Sequence, residues 1–120
     1  MWGFGKHDKK EAIYVGIIFK VEDWPEERFP DRDSLEEALE DELFGEDAGS
    51  EGWLEQVGAG SGMGEIDIGY KTTDPKRFLR QARKALKSLQ MPASTRISIP
   101  NRDGNPKYHS IDGNTAKEIQ

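Results

Sequence analysis

A chain of 120 residues with 33% charged and 34% hydrophobic side chains is long enough for one domain with an ordinary core and too apolar for disorder, so a single globular domain is expected. A formal net charge of -6 argues against a nonspecific nucleic-acid binder, which needs a concentrated basic surface. Cysteine is absent, which excludes disulfides and thiolate chemistry, and no apolar run approaches the roughly 20 residues that span a bilayer, so the chain is expected to be soluble and cytoplasmic.

Residues 1–11 mix glycine and lysine without a period and read as a flexible leader carrying Trp2 and Phe4. Over residues 12–21 the odd positions Ile13, Val15, Ile17, Phe19 and Val21 are all apolar, the alternation of a strand with one buried face. Trp24-Pro25 and Pro30 make residues 22–32 a loop, because the residue before proline is biased away from helix. Ser34 with Glu37 forms a capping-box pattern, Leu35, Ala38, Leu39 and Leu43 share a face, and Gly45 offers a left-handed stop, so a helix is predicted over residues 34–44.

A short strand over residues 53–57 and an alternating one over 64–71, with Ile66, Ile68 and Tyr70 inward, are joined by the glycine segment 58–64 as a hairpin. Asp74-Pro75 supplies a cap and a first-turn proline to a second helix, whose buried stripe is Phe78, Ala82, Ala85, Leu86 and Leu89 and which ends by Pro92. Residues 95–99 form the last predicted strand, and residues 101–120 read as an irregular polar tail. The order strand, helix, strand, strand, helix, strand predicts an α+β domain over residues 12–100 of the ferredoxin-like split βαβ type: a four-stranded antiparallel sheet with two helices on one face. An open α+β sheet of different strand order uses the same elements.

The glycine segment is not a phosphate loop. With Gly58 and Gly60 as the first pair of a G-x-G-x-x-G pattern the third position is Met63, with Gly60 and Gly62 it is Glu65, and a strand follows where the motif needs a helix. A nucleophile elbow at Ser61 fails because Ala59 and Met63 stand where glycine is required. His7 and His109 lie in the two predicted tails, too far apart in kind and context for a preorganised acid, base or metal site. Asn101, Asp103, Asn105 and Asp112 have the oxygen chemistry of a calcium loop, but Pro106 sits where that loop needs glycine. The Asp-Gly-Asn triplets at 103–105 and 112–114 read as turns. No catalytic residue, cofactor or metal ligand is assigned.

Charge is distributed unevenly. Residues 22–47 hold thirteen acids against Arg28 and Arg32, while residues 71–87 hold seven bases against Asp74, so the two helices carry opposite charge. The ordinary expectation is a solvated surface with a few cross-helix ion pairs. The sharper one is a docking surface in which Glu36, Glu37, Glu40 and Asp41 meet a cationic cleft on a partner. Neighbouring carboxylates on an exposed helix lack the burial that would separate a glycosidase acid from its base. RNA recognition on the open sheet face is disfavoured, because only Tyr14 offers a stacking surface and Glu65 and Asp67 occupy the third-strand positions. Lys76, Arg77, Arg80, Arg83, Lys84 and Lys87 read as the solvating side of the second helix.

The strand AIYVGIIF at 12–19, the acidic helix LEEALEDELF at 35–44 and the hairpin ending GEIDIGY at 64–70 together resemble small bacterial ferredoxin-like proteins of unassigned role, and comparable small acidic proteins act as immunity partners of toxins. The resemblance implies a fold and supplies no signature residue. The function expected is a noncatalytic protein-binding module, of inhibitor or immunity type, facing a basic partner. The alternative is a small-molecule-sensing regulatory domain that pairs its sheets in a homodimer and grips a ligand near Gly58, Gly60, Ser61, Gly62 and Gly64.

Overall fold

Val15, Ile17 and Phe19 are buried side by side on one face of β1 (Ile13–Lys20), while Tyr14 on the opposite face is exposed. They anchor the computed structural model, which describes residues 12–44 and 52–112. A single 3-10 turn, Val21–Asp23, leads into a loop closed by the Trp24 indole, whose Nε1 donates to the Phe29 carbonyl at 2.8 Å. The same ring meets Phe19 edge-on at 5.7 Å, so the loop is packed onto the end of the core.

Helix α1 (Arg32–Phe44) starts two residues before the predicted Ser34. The reason is Asp31, whose Oδ1 accepts from both the Ser34 N–H at 2.8 Å and the Ser34 hydroxyl at 2.7 Å. Asp31 therefore caps the helix and Ser34 is its third residue, which displaces the expected Ser34/Glu37 box. Leu35, Leu39 and Leu43 are buried, as their i, i+4, i+8 spacing requires. The predicted stop at Gly45 lies outside the described residues.

Strand β2 (Leu54–Gly62) and strand β3 (Glu65–Thr72) form the predicted hairpin, but most of the glycine segment is strand. The reversal is confined to Met63 and Gly64, with φ of 53° and 78°. Two consecutive residues in the left-handed region make the mirror-image turn whose twist suits a hairpin. The ladder shifts by one residue between Gln56 and Gly58, leaving Val57 as a bulge. Helix α2 (Pro75–Ser88) follows as predicted: Asp74 accepts from the Arg77 N–H at 3.1 Å, and Pro75 takes the first helical position.

Strand β4 (Arg96–Pro100) is followed by a fifth strand, β5 (Pro106–Ser110), in a region expected to be irregular. The sheet is antiparallel, with order β2-β3-β1-β4-β5, so it has five strands and not four. The sequence hides β5 because PKYHS lacks an apolar alternation, and only His109 among its residues is buried. Its register comes instead from the turn at 101–105. Asn101 Oδ1 accepts from the Asp103 and Asn105 N–H groups, and the Asn101 N–H donates to the Asn105 carbonyl at 2.8 Å. Two of the side chains that suggested a calcium loop, Asn101 and Asp103, thus spend an oxygen on closing a hairpin, while Asp112 lies beyond it beside Lys87.

Directly paired residues point to the same face, so Ile17 of β1, Ile68 of β3 and Ile97 of β4 form one inward row. Against that face lie Leu35, Leu39 and Leu43 of α1 and Phe78, Leu79, Ala82, Ala85 and Leu86 of α2, all in one core cluster. Tyr70 and Phe78 meet with ring centroids 5.5 Å apart, joining β3 to α2. Each fully buried Leu, Ile or Phe contributes about 1.5–3 kcal/mol relative to exposure. Both helices cover the same side of the sheet, and the other side is open.

Candidate functional site

The residues singled out as a docking surface all lie on α1, and the structure divides them. Glu36 turns toward the sheet: its carboxylate accepts from Arg32 Nε at 3.1 Å on its own helix and from Gln56 Nε2 at 2.6 Å on β2. It is half-buried and its bonding capacity is spent on tying α1 to the sheet edge. Glu37, Glu40 and Asp41 are exposed. Their i, i+3, i+4 spacing puts these three carboxylates on one helical surface, where like charges destabilise an isolated helix by a few tenths of a kcal/mol per pair.

Among the described residues no ion pair couples the opposite charge of α2 to this surface. Ion pairs between described residues are Lys20–Glu65 at 2.8 Å, Arg32–Glu36 at 3.1 Å and Lys87–Asp112 at 4.0 Å, and none joins the two helices. The bases of α2 are also not one solvating set. Lys76, Arg80, Lys84 and Lys87 are exposed, but the Arg77 guanidinium lies 4.2 Å from the centre of the Trp53 ring, and Arg83 is 5% exposed with its Nε donating to the Ser110 carbonyl. Sequence periodicity could not separate these two arginines from the rest, because an arginine stem packs like an aliphatic side chain wherever its head finds an acceptor.

Beneath α1 the Tyr70 hydroxyl is buried and has no hydrogen-bond partner among the described residues. Burial pushes the phenol well above its ordinary value, and the nearby charges of Glu36 and Glu40 push it in the same direction. On the exposed rim, the Ser34 hydroxyl and then the Ser34 N–H hold the Asp31 carboxyl below the usual range. The Lys20 ammonium is raised by its hydrogen bond and charge interaction with Glu65.

The alternative ligand segment lies along one arm of the β2–β3 hairpin and in its turn. Gly58, Gly60, Ser61 and Gly62 are part of β2, the strand at one edge of the sheet, and only Gly64 belongs to a turn. Gly58, Gly60, Ser61 and Gly62 are held in a ladder with β3. Depressions lie elsewhere: about 560 Å³ bounded by Tyr14, Ser98, Pro100 and Pro106 and about 340 Å³ bounded by Ile18, Lys20, Glu65, Arg96 and Tyr108 on the open face, and about 460 Å³ bounded by Val21, Trp24, Pro25 and Arg28 in the loop after β1.

His109, expected in a tail, is buried in β5, while His7 lies outside the described residues. Among the described residues no group of three or more His, Cys, Asp or Glu is placed to hold a metal ion, and no helix is long and apolar enough to cross a membrane. Comparison with protein-family models, with curated proteins and with solved structures finds no match to this chain.

Proposed function

We propose that this chain is a noncatalytic protein-binding module, of the inhibitor or immunity type, that presents the acidic side of α1 to a basic partner. The observation that carries this reading is the exposed trio Glu37, Glu40 and Asp41, unpaired with α2 among the described residues, on a helix that Glu36 and Asp31 hold in place. A concentrated single-sign patch weakens its own helix slightly and raises association rates with a complementary surface by roughly tenfold to a thousandfold. Glu36 is the positioning residue of this surface. In the same reading, β1 to β4 with α1 and α2 form a ferredoxin-like split βαβ unit to which β5 is an edge addition.

The test compares the immobilised full chain with its E37K/E40K/D41K variant in lysate from the source cells, at about 0.05 M and 0.15 M salt. The reading expects a protein retained by the native chain, released as salt rises and lost with the variant. Retention of the same proteins by both chains overturns it.

A further inference from the structure

The open face of the sheet has a pattern of its own. Across β3, β1 and β4 one row reads Asp67, Ile18, Arg96: an acid, an aliphatic side chain and a base on three adjacent strands. The next row reads Gly58, Gly69, Gly16, Ser98, Tyr108 across all five strands, so its centre is bare backbone. The bulge lays Val57 over part of this row, with its Cγ2 at 3.7 Å from where a Cβ on Gly69 would stand. Val57 and Tyr108 are 45% and 56% exposed, one on each outer strand, and Tyr14 on the central strand is 66% exposed.

We propose that this face associates with the same face of a second copy, stacked about a two-fold axis that runs along β1. The strand order makes the pattern self-complementary. β1 is the middle strand of five, so the axis lays β3 over the copy's β4 and β2 over the copy's β5. Asp67 then faces Arg96 of the copy and Arg96 faces its Asp67, two ion pairs from one row. Ile18 meets its own equivalent on the axis, Val57 comes opposite Tyr108, and Gly16 lets the two backbones approach. No ion pair among the described residues already uses Asp67 or Arg96; Arg96 Nη1 donates to the Ala93 and Thr95 carbonyls at 2.7 and 3.1 Å, and its Nε and Nη2 are the donors that would meet the copy's carboxylate. Lys20 and Glu65, at the rim of the same face, satisfy each other.

Five strands about 4.8 Å apart and about six residues along each give a face on the order of 500 Å² per copy. That is at the small end for specific association, so the dimer is a concentration-dependent one. Both α1 surfaces point outward from it, and the inference does not depend on the function proposed for them.

The experiment is sedimentation of the full chain between about 5 and 500 µM, with circular dichroism to establish that each variant folds. The weight-average mass is expected to rise toward twice the monomer's for the native chain. Asp67→Arg and Arg96→Asp each weaken association at least tenfold by setting like charges face to face, and the double variant D67R/R96D recovers it. Ile18→Lys, a half-exposed site, gives an independent variant that should also stay monomeric. A native chain that is monomeric throughout, single reversals that associate like the native chain, or a folded double variant that stays monomeric each overturn the proposal. E37K/E40K/D41K is expected to leave the mass curve unchanged, so this result and the partner test fail separately.

Discussion

Arg83 of α2 donates from Nε to the carbonyl oxygen of Ser110 at 2.9 Å, tying the second helix to the end of the outermost strand. A buried charged donor is worth about 1.5–3 kcal/mol through such a bond. Arg83→Met keeps the aliphatic stem and removes the head, so it is expected to lower unfolding stability by that amount. Amide hydrogen exchange should accelerate first in β5, at His109 and Ser110; uniform protection across the sheet would contradict the role given to Arg83.

Met63 occupies the left-handed region with its side chain fully exposed, a conformation that costs a residue with a Cβ roughly 1–2 kcal/mol. Asparagine before glycine suits the same mirror-image turn. Met63→Asn is therefore expected to raise stability by about 1 kcal/mol, read as a higher urea midpoint at unchanged slope.

Tyr70→Phe removes a buried hydroxyl that lacks a partner among the described residues. Stability at neutral pH is expected to hold or rise by up to about 1 kcal/mol. The phenol is raised in the fold, so the neutral form is favoured there: its contribution is intact below the unfolded value near 10 and is lost as pH climbs toward the folded one. The native chain should weaken by as much as about 1.4 kcal/mol per pH unit above that point, and the Phe variant should lose less in the same titration.

Asp31 is the cap of α1, and its carboxyl is depressed by Ser34. A depressed acid stabilises the fold above its unfolded value and gives that up as pH falls through the folded one. Asp31→Ala is expected to lower helical ellipticity and thermal midpoint at neutral pH, with the gap to the native chain closing in acid. Glu37→Ala, which would break a Ser34/Glu37 capping box, should leave both nearly unchanged.

The parts of the fold that were legible in the sequence are those in which one residue type answers one physical demand. Val15, Ile17 and Phe19 announce a half-buried strand, and Asp74-Pro75 announces a helix start. The elements that escaped are held by polar groups whose partners are remote. β5 depends on the Asn101 side chain and on Arg83, neither of which marks a strand locally. Within the candidate surface, Glu37, Glu40 and Asp41 emerged exposed as helical spacing implies, whereas Glu36 was drawn inward by Gln56, twenty positions along the chain. Glycines at 58, 60 and 62 carry the sequence signature of a turn, yet they stand inside a strand, and only Gly64 turns.

The single extra residue at Val57 is absorbed without changing the phase of β2 on either side of it. Counted back from the turn at Met63 and Gly64, Ala59 and Ser61 pair with Ile68 and Ile66 on the helix side, and Gly58, Gly60 and Gly62 fall on the uncovered side. Deleting Val57 while keeping the hairpin turn would leave Gln56 opposite Tyr70 and Gly58 opposite Gly69 in an unbroken ladder, and would remove the side chain that lies over Gly69. Length is accordingly free to vary by one residue at the bulge and is constrained between Gly58 and the turn, where a residue more or less would flip the facing of the residue before it.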